Sequence, residues 1–157
     1  MLLTGIFAFQ SCGYYSFKGA LPSHLKSIAI PLFNDRTPNA GVREDLTNML
    51  VDAFLEDNTL ELADEMKADL VLTGSINSIT VKPAIVKAGE SVSESQLVVK
   101  VRVKCEDTVT NKVLYDKNFD DYGLMDENAG LDERDAAIAT ALEQITDKIL
   151  NATLGGW

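Results

Sequence analysis

The chain has 157 residues, the length of one domain and enough for a substantial core. Its formal net charge of −10 excludes sequence-independent binding to nucleic acid, which needs clustered Lys and Arg. Two cysteines, Cys12 and Cys105, do not make a disulfide scaffold, and a single histidine with no ligand-spaced partners implies no metal site.

Leu2 to Phe9 is an apolar run without a charge, closed by Gln10, Ser11 and Cys12. As a helix it covers only about 12 Å, short of a hydrocarbon core of roughly 30 Å, so it cannot span a membrane. Its length fits the apolar region of a secretory signal, typically about 7–15 residues. Phe9-Gln10-Ser11-Cys12 resembles a lipobox, the site at which a bacterial lipoprotein is acylated and cut, although Phe9 and Gln10 are not its favoured residues. The missing basic n-region is attributed to a start codon placed too late. Residues 1–11 are therefore read as a lipoprotein signal peptide, 12–25 as a lipidated tether and 26–157 as a single α+β domain. The alternative is a buried N-terminal strand containing one Cys. Tyr14, Tyr15 and Phe17 give the tether an aromatic character suited to packing on the domain or to a headgroup region. His24, beside a loop proline, is expected to be a solvated surface residue.

Lys26 to Phe33 is predicted as the first strand, with Ile28, Ile30 and Leu32 on one face and Ala29 and Phe33 on the other. Pro31 cannot donate to a ladder, so this strand lies at an edge or ends near the proline. Asn34 to Asn39 is a turn cluster. From Gly41 to Asp57 the apolar residues Val42, Leu46, Met49, Leu50, Ala53 and Phe54 form one helical stripe. A short strand is expected over Thr59–Ala63 and a turn over Asp64–Lys67. Asp69–Val81 reads as a second main strand whose parity changes near Asn77-Ser78, as at a bulge. Pro83 to Ser95 is expected to be a mobile loop.

Gln96 to Glu106 alternates most cleanly, with Leu97, Val99, Val101, Val103 and Cys105 facing one way. A hairpin over Thr108–Lys112 leads to a strand over Val113–Phe119, with Val113, Tyr115 and Phe119 in phase. The acidic stretch Asp120–Glu133 reads as a loop. A final helix runs from about Leu131 to Ala152, burying Ile138, Ala141, Leu142, Ile145 and Ile149, before a frayed tail. The fold expected is an α+β two-layer sandwich, a mostly antiparallel four- to five-stranded sheet with two amphipathic helices on one face.

Neither a catalytic constellation nor a Gly-rich phosphate loop is present, so the chain is read as non-enzymatic, and no cofactor is implied. Against the overall charge, Lys100, Arg102 and Lys104 line one side of a strand at about 6.6–7 Å spacing. Residues 82–117 hold seven Lys/Arg against five Asp/Glu, whereas 118–157 hold two against nine. This segregation points to a basic surface for the phosphates or carboxylates of an amphiphile. The alternative is a solvated face charged to prevent edge-to-edge pairing.

The order of Cys12-Gly13-Tyr14, an aromatic tether, SIAIPLFNDRT, a helix, ADLVLTGSI, a basic strand and a C-terminal helix resembles the LptE-like lipopolysaccharide-assembly lipoproteins. The resemblance covers nearly all of the chain after Cys12. It implies an outer-membrane lipoprotein, lipid-anchored through Cys12 on the periplasmic side, that plugs and helps assemble an LptD-like β-barrel. Lipopolysaccharide is then the implied second partner, and Lys100, Arg102 and Lys104 are the candidate contacts with it or with the barrel. A second reading is a periplasmic envelope adaptor or secretion-associated lipoprotein of the curli-secretion type. A third, a ligand-binding module with Cys12 in its core, holds if the lipobox is false.

Overall fold

A computed structural model of the protein describes residues 21–83 and 94–155. The signal segment, Cys12 and the tether aromatics lie outside the described residues, as does most of the expected 83–95 loop. The elements in order are β1 (Ser27–Ala29), β2 (Asn34–Asp35), α1 (Val42–Asp57), β3 (Glu61–Leu62), β4 (Leu70–Pro83), β5 (Glu94–Asp107), β6 (Lys112–Asp126) and α2 (Leu131–Leu154).

Alternation in the sequence decides which face of the sheet is covered. Leu97, Val99, Val101, Val103 and Cys105 of β5 are fully buried, together with the expected stripes of α1 and α2, of which Met49 and Ala53 are half-buried. Both helices therefore lie on one face of the sheet. Tyr115 reaches across that layer, its hydroxyl 2.7 Å from Thr153 Oγ1. Lys148 fastens α2 to β6 through the Asp120 carbonyl at 2.8 Å and the Asp121 carboxylate at 2.7 Å. Gly123 sits directly beneath α2, where a Cβ would lie 2.1 Å from the Ala137 carbonyl oxygen.

The sheet has six strands in the order β3-β1-β4-β5-β6, with β2 also on β4. It is larger than expected and mixed: β1, β2 and β3 pair in parallel, whereas β4, β5 and β6 are antiparallel. Parallel neighbours need a crossover connection, and α1 supplies it. The expected strand Lys26–Phe33 is broken at Pro31. β1 stops at Ala29, and the chain rejoins β4 as β2, inside what the sequence suggested was a turn. The break reverses parity: Phe33 joins Ile28 in the main core, and Leu32 is exposed. β1 is thus interior, between β3 and β4, and obeys the proline by ending before it.

Two further segments depart from expectation. The loop predicted from Pro83 to Ser95 is shorter, because β4 continues through Pro83 and β5 begins at Glu94. The acidic loop predicted from Asp120 is strand as far as Asp126, paired with β5. Its carboxylates stand on an edge strand, where charge opposes pairing with another chain. The bulge expected at Asn77-Ser78 is present, as a register shift between Ile76 and Ser78. A second shift, beside Cys105 and Glu106, lets Leu114 pack on the core and leaves Val113 exposed rather than in phase.

Polar clamps hold the junctions. Asp69 accepts hydrogen bonds from the Lys26 amide, the Ser27 amide and the Ser27 hydroxyl, at 2.9, 3.1 and 3.0 Å. These bonds, that from the Lys26 amide foremost, hold its carboxyl below the usual range. Thr47 Oγ1 accepts from the Phe33 amide at 3.1 Å and donates to the Arg43 carbonyl, tying the broken strand to α1. His24 is not simply solvated: its Nε2 lies 2.8 Å from Asp107 Oδ2, eighty-three residues away. Asp107 is buried and also accepts from Val109, from the Thr110 amide and from the Thr110 hydroxyl. Burial raises its pKa, but the bonds from Thr110 and His24 outweigh that and hold it at about 2.

Two outcomes are expected. Gly123→Ala should lower stability in urea by about 1–3 kcal/mol, because α2 must lift from β6 to admit the methyl group. Asp107, depressed from an ordinary 3.8, adds stability that is complete above about pH 4 and disappears as pH falls through about 2. Urea midpoints between about pH 5 and pH 2 should therefore fall more steeply for wild type than for Asp107→Asn. Parallel curves would remove Asp107 from the acid response.

Candidate functional site: the outer face of the sheet

The face turned away from the helices is mixed in burial: Val71 and Val98 are buried, whereas Lys100 and Arg102 are exposed. β5 places Lys100, Arg102 and Lys104 there, because each alternates with a buried valine or Cys105 facing the core. Cross-strand register puts Ser75 and Asn118 on either side of Arg102, Thr73 and Asp116 beside Lys104, and Asp120 beside Lys100. The expected row is therefore a real row, but it is not a bare one.

Arg102 grips Asp116 as a fork, with Nε to Oδ1 and Nη2 to Oδ2 both at 2.8 Å. This bond first, and the charge of Arg102 with it, holds the Asp116 carboxyl below its ordinary range. Lys104 Nζ lies 2.6 Å from Glu106 Oε1. Lys100 has no ion-pair partner among the described residues. The pairs are solvent-exposed, so they orient the cations and add little to stability.

A fourth cation comes from elsewhere in the chain. β2 runs parallel to β4, and the Arg36 amide continues that pairing by donating to the Ile76 carbonyl at 3.0 Å. This puts Arg36 at the rim of a groove of about 300 Å³, with Ser75, Asn77, Arg102, Lys104 and Asp116. Sequence reading missed Arg36 because it lies in an apparent turn. The only clue was the run NDRT directly after the first strand.

Towards the far end of the hairpin the same face turns apolar. Val98 pairs with Tyr122, and Gln96 with Leu124. Tyr122 is 43% exposed and Leu124 54%, large values for such side chains on a sheet. The outer face thus carries cations at one end and an apolar patch at the other, the layout that complements an amphiphile with a charged head.

Burial above all, with the charges of Glu106 and Asp107, pushes the Cys105 thiol up to about 12, so it is not a nucleophile near neutrality. Among the described residues, no three His, Cys, Asp or Glu side chains gather to hold a metal ion.

A two-layer α+β domain with a mixed sheet and both helices on one of its faces is the class that the fold defines. Residues 25–153 match the family model described as LptE, lipopolysaccharide-assembly. The chain belongs to that family. Among solved structures it is similar to a protein from Xanthomonas campestris at 15% identity, with 83% of this chain and 84% of the other covered and a TM-score of 0.64. A hypothetical protein from Chlamydia trachomatis aligns at 11% identity over 84% and 97% of the two chains, with a TM-score of 0.62. The rare lipoprotein B of Shewanella oneidensis aligns at 14% identity over 80% and 92%, with a TM-score of 0.52. At such identities these likenesses establish a shared fold. Comparison with curated protein sequences gives no match.

Proposed function

We propose that this protein is a non-enzymatic outer-membrane lipoprotein of the lipopolysaccharide-assembly machinery, anchored through Cys12 on the periplasmic side and held by an LptD-like β-barrel. The family match across 25–153 carries this reading and favours it over the secretion-adaptor alternative. A lipobox-like sequence ending at Cys12 supports the anchor, and a lipid chain together with a protein interface would retain the domain more firmly than either alone.

The outer face is the surface proposed to meet lipopolysaccharide. Arg36, Lys100, Arg102 and Lys104 would take its phosphates, and the exposed Tyr122 and Leu124 its acyl portion. From Val98 to Lys104 the strand extends about 20 Å, room for a head and the start of its chains. Asp116 and Glu106 act as resident counter-ions. An incoming phosphate exchanges with them at Arg102 and Lys104, and meets Lys100 without displacing a partner.

Binding of fluorescent lipopolysaccharide to the purified full-length lipoprotein tests the surface. Replacing Arg36, Lys100, Arg102 and Lys104 by Ser should weaken binding by about tenfold or more with an unchanged circular dichroism spectrum. Asp116→Asn, which frees Arg102, should strengthen it. Equal affinity in all three proteins would sink the surface assignment. Labelling with radioactive palmitate tests the anchor: wild type should take up label and Cys12→Ala should not, while retained label would place acylation elsewhere.

A further inference from the structure

The sheet has two long open edges, and they are built differently. One is β6, whose outer half is closed by side chains. Lys148 Nζ and Gln144 Nε2 donate to the Asp120 and Tyr122 carbonyls at 2.8 and 3.0 Å, while Asp121 and Glu133 accept from the Tyr122 and Asp126 amides. The other open edge is the end of β4 past the bulge. β1 pairs with β4 at Leu70 and Val71, β2 pairs at Ser75 and Ile76, and the Arg36 amide adds one more bond to Ile76. Over residues 77–83 that side of β4 has no strand beside it among the described residues.

Register fixes which backbone groups face that gap. Gln144 takes the Tyr122 carbonyl on the side away from β5, so Val98 and Tyr122 are a pair without mutual hydrogen bonds. The amide and carbonyl of Val98 therefore turn to β4, where its partner is Thr80. It follows that Thr80 bonds to β5, while the amides and carbonyls of Ile79 and Val81 face outward, the two residues about 6.6–7 Å apart. Unlike the outward groups of β6, these have no hydrogen-bond partner among the described residues. Ile79, Thr80 and Val81 are β-branched and suit a strand, and Val81 is 46% exposed.

Outward amides and carbonyls at ladder spacing are matched together by another extended backbone, so the gap selects a strand. Charge selects which strand. β4 carries one Lys and no Asp or Glu, Lys82 is exposed towards one end of the gap, and the exposed Arg36 stands at the other. A second copy of β4 would bring the same cation and no carboxylate to meet it. We propose that the 77–83 edge of β4 takes up an extended, carboxylate-bearing segment of a partner protein as an added strand. Its backbone pairs with Ile79 and Val81, its apolar residues cover their side chains on the helix side, and its carboxylates meet Lys82 and Arg36. This inference rests on backbone pairing and does not depend on lipopolysaccharide binding by the outer face.

Fluorescence anisotropy of a labelled peptide of about ten residues, alternating Val or Thr with Glu, tests it with the full-length lipoprotein in detergent. Wild type should bind the peptide, and amide hydrogen exchange at Ile79 and Val81 should slow on binding. Val81→Pro removes an outward amide and no bond to β5, so its circular dichroism should be unchanged and its binding lost. Lys82→Glu should weaken binding about tenfold or more. No binding by wild type, undiminished binding by Val81→Pro or Lys82→Glu, or slowed exchange on β6 at Asp116 and Asn118 instead, would overturn the proposal. So would slowed exchange at Ile79 and Val81 on raising the protein concentration without peptide, which would make a second copy the occupant.

Discussion

The architecture rests on how closely β1 and the segment after it can approach β4. Gly74 is the critical point: a Cβ there would lie 2.2 Å from the Phe33 ring, so only glycine lets that ring lie against the strand and enter the core. Asp69, five residues earlier, fixes the other end of the same junction through the Lys26 and Ser27 amides. The two short motifs SIAIPLF and ADLVLTG are therefore the two halves of one contact. That explains why neither is distinctive alone, while their order and spacing are.

Once that junction is made, the rest follows in layers. β4 carries parallel partners on one edge and the long β5–β6 hairpin on the other, so one strand joins the crossover half to the antiparallel half. Apolar alternation on β5 commits one face to the helices and leaves the cations on the opposite one. The acidic residues of the two helices accumulate on their outer side. A strongly acidic protein thereby keeps a row of cations on the sheet face opposite its acidic helices, interleaved with Asp116, Asp120 and Glu106.

Much of this was legible from residue order, and the failures have physical causes. The β5 alternation, both helical stripes and the β4 bulge are local patterns, visible within a dozen residues, and each appears where the periodicity put it. β2 is two residues of parallel pairing and has no periodicity to detect. The outer half of β6 looked like a loop because edge strands carry charge for the same reason that loops do. His24 and Asp107 meet across eighty-three residues, and Arg36 reaches the basic groove only through β2, so neither partnership leaves a local trace. The basic row itself was correctly placed on one face. Its counter-ions Asp116 and Glu106 make Arg102 and Lys104 paired rather than bare cations.

The central claim is that this family member works as the lipoprotein partner of a lipopolysaccharide-exporting barrel. Its most direct test is purification of the tagged, full-length lipoprotein from native outer membranes, with mass spectrometry of the accompanying proteins. The account predicts a large β-barrel of the lipopolysaccharide translocon in stoichiometric amount. Recovery of the protein without a barrel, or as a multimer of itself alone, would contradict it.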